Sequence, residues 1–320
     1  MKEKYFKLYA FNIPVKGVDK SAIYNLQKKF IRLIPNSMYE IIESLNNNPV
    51  EKVKLNLSEE DKIVFEEYLY FLIENDFGFY TTHPENFPAI NLNWFSPEKI
   101  KIAVIETDFH HYDLKKLIDE LDDLLCKHME IRIVKSCSKE EIERWMEYTN
   151  NKIARSISLC IKYHPSLDQE FLSALHNRFK KIDRIIIYES PFELDLMKKK
   201  QYVFWKKISE KDFFTTSYPK EQNIVSVCFF TEALQYNPYY NKKVCISKIG
   251  EIKNCLLHEK SFGNFNDRAL KDVVFTNEFQ ELWHISHDKI EDVCTSELRY
   301  SMIIPNNLVK QKNGMYKIAN

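Results

Sequence analysis

Apolar and polar residues alternate with a period of two in four segments of the first 85 residues. Side chains of a strand point to opposite faces in turn, so the alternation after Lys29 places Phe30, Arg32 and Ile34 on one face. The predicted strands are 4–13, 22–26, 29–34 and 77–80.

Between the last two of these strands the apolar spacing changes to about 3.6, which predicts helices. One helix begins at Asn36 or Ser37, and a longer one begins after Ser58 and ends near Asn75. Serine is a preferred residue at a helix start, and the acidic pair at 59–60 suits the positive end of the helix. Strands, helices and a returning strand predict a winged-helix-like α+β domain over residues 1–85.

The middle of the chain repeats a short apolar run followed by an amphipathic helix. Prolines at 84, 88 and 97 mark a linker before it, since proline disfavours both helix and central strand. Strand–helix alternation implies right-handed crossovers and a parallel sheet, so an open or partial (β/α) barrel is predicted over residues 98–212. The strands are 100–105, 131–134, 156–161, 184–187 and 202–205, and the helices are 113–127, 139–148, 168–180 and 191–199.

The last third, residues 213–320, changes to strands and loops with one helix over 272–285. Residues 244–247 and 251–254 alternate apolar and polar side chains around Gly250, which predicts a hairpin. Cys255 then stands where the second strand ends. The whole chain is therefore predicted as an α/β protein of three domains.

Charge and glycine content exclude several functions. Lys+Arg and Asp+Glu both number 46, so no excess of positive charge is present to bind nucleic acid. The five glycines are not spaced to form a phosphate-binding loop, so any ATP chemistry is expected from another protein. The first residues lack the apolar core of a signal peptide and no apolar run is long enough to span a membrane, which predicts a cytoplasmic protein. Seven cysteines in that compartment indicate reduced thiols or metal ligands.

A series of short segments, in order along the chain, resembles the SPASM-domain peptide maturases of grasp-with-spasm systems. Members of that family act on a short ribosomally made precursor peptide together with an ATP-grasp ligase. The upstream segments are Ile13-Pro-Val-Lys-Gly17, residues 71–79 and Ile90-Asn-Leu-Asn-Trp94. The downstream segments are Asn241-Lys-Lys243, Gly250-Glu-Ile-Lys-Asn-Cys255, Lys260-Ser-Phe-Gly-Asn264, Phe279-Gln-Glu-Leu-Trp283, Asp288-Lys-Ile290, Val293-Cys294 and Glu297-Leu-Arg-Tyr300.

The resemblance implies a fold and a binding mode for each part. It implies a leader-peptide recognition element over residues 1–85, a barrel related to radical S-adenosylmethionine enzymes, and a degenerate SPASM domain over residues 213–320. In the recognition element the leader is expected to add as an extra strand and to pack on the long helix. The corresponding surface comprises Phe30, Arg32, Ile34, Tyr68 and Leu72, and the alternative is that these residues form the core of the small domain.

The chain departs from the family in its cysteines. A radical S-adenosylmethionine cluster needs C-x3-C-x2-C after the first barrel strand, but residues 106–113 contain no cysteine, and Cys126 is the first one downstream. In the last domain only Cys255 and Cys294 match, while Tyr239, Ser296 and Met302 stand near expected cysteine positions. No cofactor is therefore expected, and a residual iron–sulfur cluster remains an alternative.

Zinc is a second alternative. Cys255, His258, His284, His287 and Cys294 could supply two sulfurs and two imidazoles if the segments meet, and a helix would place His284 and His287 on one face. His110, His111 and Asp113 follow a strand, where α/β sheets usually bind ligands, but a solvated loop explains them equally.

No catalytic set of residues is recognisable, so a non-catalytic function is favoured. The hypothesis is a binding protein that captures the precursor leader and presents it to the ATP-grasp ligase. The alternatives are a metal-dependent peptide maturase and a homo-oligomeric scaffold, in the simplest case a homodimer, without a peptide ligand.

Overall fold

The computed structural model describes residues 3–198, 201–215 and 223–319 and divides the chain into two compact units. The first unit consists of Met1–Trp94, Lys220–Pro238 and Ile285–Asn320. The second unit consists of Phe95–Pro219 and Tyr239–His284. Residues of the predicted 213–320 domain are thus found in both units.

The amino-terminal part of the first unit contains strands β1 to β5 and helices α1 to α3. The elements are β1 (Tyr5–Leu8), β2 (Asn12–Val15), β3 (Ser21–Asn25), β4 (Phe30–Ile34), α1 (Asn36–Leu45), α2 (Val50–Leu55), α3 (Glu59–Glu74) and β5 (Gly78–Thr81). The predicted strand 4–13 is instead two strands, because a turn at residues 10–11 separates β1 from β2. The short helix α2 was not predicted from the sequence.

In the described residues of this unit, β2, β3 and β4 form an antiparallel sheet in that order, and β1 pairs antiparallel with β5. Helix α3 begins as predicted, since the Ser58 side chain accepts a hydrogen bond from the backbone N–H of Asp61. A core of buried apolar residues joins the three helices to the strands: Phe6, Ile23, Ile34, Met38, Ile42, Leu45, Val50, Val53, Phe65, Leu69, Leu72 and Phe77.

The second unit is built on alternating strands and helices. The elements are β6 (Ile102–Thr107), α4 (Leu114–Asp123), β7 (His128–Ile133), α5 (Lys139–Asn150), β8 (Ser156–Lys162), α6 (Gln169–Arg178), β9 (Ile182–Tyr188), β10 (Leu194–Lys198), β11 (Gln201–Trp205) and α7 (Glu210–Thr215). The helix predicted over 191–199 is wrong where it can be compared, because 194–198 pairs antiparallel with β11 as a strand. Residue 199 lies outside the described residues.

The remaining elements are short. They are α8 (Val227–Gln235), β12 (Lys243–Ile246), β13 (Ile252–Lys253), α9 (Leu270–Val274), α10 (Asn277–Gln280), β14 (Leu308–Lys310) and β15 (Tyr316–Ile318). The hairpin around Gly250 is confirmed: β12 pairs antiparallel with β13, and Gly250 has φ +88°. The predicted helix 272–285 is interrupted, because Thr276 caps a new helix by accepting the Phe279 N–H.

Among the described residues, eight strands form one sheet in the order β10-β11-β9-β8-β7-β6-β12-β13. Strands β6, β7, β8, β9 and β11 are parallel and follow one another in chain order, as in part of a (β/α) barrel. Same-handed crossovers then place the connecting helices on one face. The mixed α/β class and the large, mostly parallel sheet agree with the sequence-based expectation.

The helix-covered face of this sheet is apolar. Residues of α4 and α5, among them Leu114, Ile118 and Met146, surround a small space together with Ile131 of β7 and Leu159 of β8. No helix within the described part of the chain is both long enough and apolar enough to cross a membrane.

Candidate functional site

Strand β4 leaves one edge of the amino-terminal sheet open. It pairs with β3 on one side, and no backbone hydrogen bond joins residues 30–34 to any other described segment. The opposite edge strand, β2, contains Pro14, which has no N–H to donate to a further strand. Of the two edges of this sheet, the edge of β4 is therefore the one suited to adding a strand.

Aromatic side chains line the groove between β4 and α3. Phe30 and Phe71 both contact the buried Phe77, with ring centroids 6.1 and 6.0 Å from it. Tyr68 shares a hydrogen bond of 2.8 Å with Ser37, three residues beyond the end of β4. Phe30, Tyr68 and Phe71 are only partly buried, so each presents part of its ring to the outside.

Two of the five residues predicted to bind a peptide are core residues. Ile34 is 2% exposed and Leu72 is fully buried, both within the apolar cluster under the sheet. A docked peptide cannot reach side chains that are already covered, so direct contact from these two is excluded in this conformation. The surface that remains from the prediction is Phe30, Arg32 and Tyr68, and Phe71 is an addition that the sequence did not indicate.

Arg32 is the charged member of this surface. Its side chain is exposed, and it forms no hydrogen bond or ion pair with another described residue. It faces the same side of β4 as Phe30 and Ile34, because residues two apart in a strand share a face. The groove therefore combines partly exposed aromatic rings with one uncompensated guanidinium among its named residues.

The second unit carries a separate polar surface, on the sheet face opposite the helices. Glu106, Glu130 and Arg132 lie on this face, because Glu106 is paired with Arg132 across β6 and β7 and Glu130 is two residues from Arg132. Arg132 Nε is 2.7 Å from Glu130 Oε1, and its Nη1 is 3.6 Å from Glu106 Oε1. The guanidinium also lies 4.7 Å from the ring centroid of Phe214.

Burial sets the charge state of this cluster. It raises the pKa of Glu106 above its usual range, although Arg132 and a hydrogen bond from the Lys248 backbone act in the opposite direction. Two carboxylates share one guanidinium, so a raised pKa for one of them is the expected result. The cluster is a compensated set of buried charges, and it gives Arg132 a structural partner on each side.

The sequence contained a signal for this face that the strand prediction did not use. Residues 128–133 and 156–162 alternate polar and apolar side chains strictly, whereas strands covered on both faces are continuously apolar. Strict alternation in a parallel sheet indicates one helix-covered face and one polar face. Cys160 and Cys245 also lie on the polar face, and both are buried.

Cys255 lies beside the residue that occupies an expected cysteine position. The Tyr239 hydroxyl is 3.7 Å from Cys255 Sγ, and Lys243 Nζ lies 3.7 Å from the centroid of the Tyr239 ring. A phenol and an ammonium group thus stand where iron–sulfur ligation would need thiolates. Among the described residues, no three or more His, Cys, Asp and Glu side chains are grouped so as to hold a metal ion. The residues present do not fit an iron–sulfur cluster.

The five residues considered for zinc are divided between the two units. Cys255, His258 and His284 belong to the second unit, and His287 and Cys294 belong to the first. His284 ends one 3₁₀ turn and His287 begins another, so the predicted shared helix face is wrong. His258 shares a hydrogen bond of 3.2 Å with the Tyr240 hydroxyl. His287 Nδ1 lies 2.5 Å from the carbonyl oxygen of Arg299, to which it donates.

The loop after β6 is held together by its own side chains. Asp108 accepts hydrogen bonds from the backbone N–H groups of His110 and His111, and it lies 2.7 Å from His111 Nδ1. Despite the opposing effect of burial, these interactions lower the pKa of Asp108 to about 2. Asp113 caps helix α4 through the N–H groups of residues 115 and 116. These contacts explain the pair of histidines and the aspartates as loop structure.

Comparisons with known proteins give one structural similarity of low TM-score. Among solved structures, the chain is similar to "Crystal structure of Streptococcus suis SuiB bound to precursor peptide SuiA", with 10% sequence identity and a TM-score of 0.25. The alignment covers 94% of this chain and 93% of that chain. No protein-family model matches the chain, and no curated protein matches it.

Proposed function

We propose that this chain is an accessory protein of peptide maturation. In this proposal it binds the leader of a ribosomally made precursor peptide along the open edge of β4 and presents the precursor to an ATP-grasp ligase. The observation that carries the binding step is the unpaired edge of β4 beside the partly exposed rings of Phe30, Tyr68 and Phe71. The segments that resemble grasp-with-spasm maturases support the pathway.

Strand addition suits this edge for two reasons. The backbone groups of an edge strand can form hydrogen bonds with any extended peptide, which provides affinity that depends little on sequence. The alternating side chains of the peptide then fall into the groove or away from it, which provides selectivity. The same unit blocks the opposite edge with Pro14, so a leader has one defined place to add.

The proposal assigns no chemistry to the chain itself. The barrel-like sheet contains no cysteine between Thr107 and Leu125, where the cluster of a radical S-adenosylmethionine enzyme would be held. The polar sheet face is occupied by charges that compensate one another. A metal-dependent maturase would need donors that the described residues do not bring together.

The short precursor peptide encoded beside the gene for this chain is the probe for the first test. Its leader half should bind in titration calorimetry and should protect the backbone amides of residues 30–34 from hydrogen exchange, while its core half should not. Binding with no change in β4 exchange would place the leader elsewhere. A gene neighbourhood without a short precursor and an ATP-grasp ligase would contradict the pathway.

Backbone methylation provides the sharper test of strand addition. In an added strand only alternate residues direct their N–H and C=O groups toward the neighbouring strand. N-methylation of alternate leader residues should therefore abolish binding in one register and preserve it in the other. Equal loss in both registers would mean that the peptide does not add as a strand. The two methylated peptides are each other's control.

A further inference from the structure

The side chains along β4 specify a charge as well as a shape. Phe30, Arg32 and Ile34 lie in a row on the face of β4 that belongs to the groove, since they alternate with Ile31 and Leu33. Phe30 at one end contacts the aromatic group of Phe71 and Phe77. The central position of the row is the exposed guanidinium of Arg32.

The helix side of the groove does not compensate that charge. Val64, Tyr68 and Phe71 are spaced by four and three residues, which places them on one face of α3. None of them carries a charge. No carboxylate among the described residues lies within ion-pair distance of Arg32.

We infer that the peptide recognised at β4 carries an aspartate or glutamate directly opposite Arg32, flanked two positions away on each side by apolar residues. This inference rests on the proposed function, because it concerns the strand that adds to β4. Residues opposite one another on adjacent strands have their Cβ atoms about 5 Å apart, and opposite charges there attract. A guanidinium can also grip a carboxylate with two parallel hydrogen bonds.

The flanking positions follow from the same geometry. A residue two positions from the acid in one direction lies against Phe30 and Phe71, whose rings are partly exposed. In the other direction it lies over the end of β4, where Tyr68 is fixed by its hydrogen bond with Ser37. The pattern apolar, any residue, acid, any residue, apolar is the same in both directions. It therefore holds for a parallel or an antiparallel added strand.

An edge-strand charge has another known use, which is to prevent edge-to-edge aggregation. That use needs only a charge of either sign and predicts no preference in the bound peptide. The two explanations differ in what happens when the sign at position 32 is reversed.

A random dodecapeptide display library, selected on the full chain, tests the inference. Wild type should enrich the pattern with a central acid, and Arg32→Glu should enrich lysine or arginine at the same position. The control is Lys52→Glu, which reverses an exposed charge on α2, away from the groove, and should select the same peptides as wild type. For synthetic selected peptides, changing the central Glu to Gln should weaken binding to wild type about fivefold. Arg32→Gln should remove that difference.

Each result bears on a different part of the argument. Peptides selected with no preference at the central position, or the same preference with Arg32→Glu, would overturn the acidic specificity and leave strand addition standing. Failure to select any peptide on wild type would overturn the proposed peptide binding itself. Arg32→Gln keeps the test valid if Arg32→Glu folds poorly, because it removes the charge without burying a new one.

Discussion

At the scale of single residues, Arg132 is the side chain on which two buried carboxylates depend. It lies 2.7 Å from Glu130 and 3.6 Å from Glu106 on the polar sheet face. Arg132→Met should lower the free energy of unfolding by about 3 kcal/mol, because it leaves two carboxylates without their cation. Urea unfolding at pH 7 measures this. Arg184→Met is the control, since Arg184 is exposed on a nearby strand of the same face, and an equal loss there would contradict the assignment.

His287 gives the first unit a pH dependence. Burial lowers its pKa to about 4, and its Nε2 is buried without a hydrogen-bond partner. The unfolded imidazole, with a pKa of about 6.5, binds a proton that the folded one resists. Stability from this residue is therefore complete above pH 6.5 and decreases as the pH falls toward 4, by about 3 kcal/mol in total.

The measurement is the urea midpoint between pH 7 and pH 4 for wild type and His287→Asn. Asparagine can keep the hydrogen bond to the Arg299 carbonyl but does not titrate. The variant should lose less stability than wild type over this range. Parallel curves would show that His287 is not the group responsible.

At the scale of elements, helix α3 forms one wall of the groove and depends on its cap. Ser58 accepts a hydrogen bond from the Asp61 N–H. Ser58→Ala should therefore cost about 1 kcal/mol of stability, while Ser58→Asp should cost little. Ser44→Ala provides the comparison, because the Ser44 hydroxyl donates only to a carbonyl one turn earlier in α1 and should be nearly neutral when removed. Thermal unfolding of the three variants decides the matter.

The hairpin that positions Cys255 depends on one glycine. Gly250 has φ +88°, and a Cβ there would lie 2.9 Å from Asn264 Oδ1. Gly314 has a similar φ of +83°, with nothing within 4 Å of a Cβ. Gly250→Ala should therefore lower stability more than Gly314→Ala, which carries only the backbone cost of about 1 kcal/mol. Equal losses would show that Asn264 moves aside freely.

At the scale of the whole molecule, the donor inventory predicts a protein without redox-active metal. Protein purified without oxygen should contain iron, sulfide and zinc at well below one equivalent per chain, as measured by elemental analysis. Iron and sulfide in multiples of four would contradict the accessory function and favour a maturase. One equivalent of zinc that is lost in Cys255→Ser would instead restore the zinc hypothesis.

The limits of sequence-based prediction are visible in particular elements. The strands β3 and β4, the start of α3 at Ser58 and the hairpin at Gly250 were all predicted, because each depends on neighbours within a few residues. Residues 194–198 were predicted as helix and form a strand, because pairing with β11 decided their conformation. Thr276 ended a predicted helix by capping a new one, a local signal that was overlooked.

The sequence by itself determined which segments alternate, where helices begin and how few sulfur donors are available, since these are properties of composition and local spacing. Only the tertiary structure decided that Ile34 and Leu72 are buried while Phe30 and Arg32 face a groove. It also decided that β4 has an open edge and that charges gather on one sheet face. The physical reason is that burial, strand order and edges arise from contacts between residues far apart in the chain, which no local period encodes.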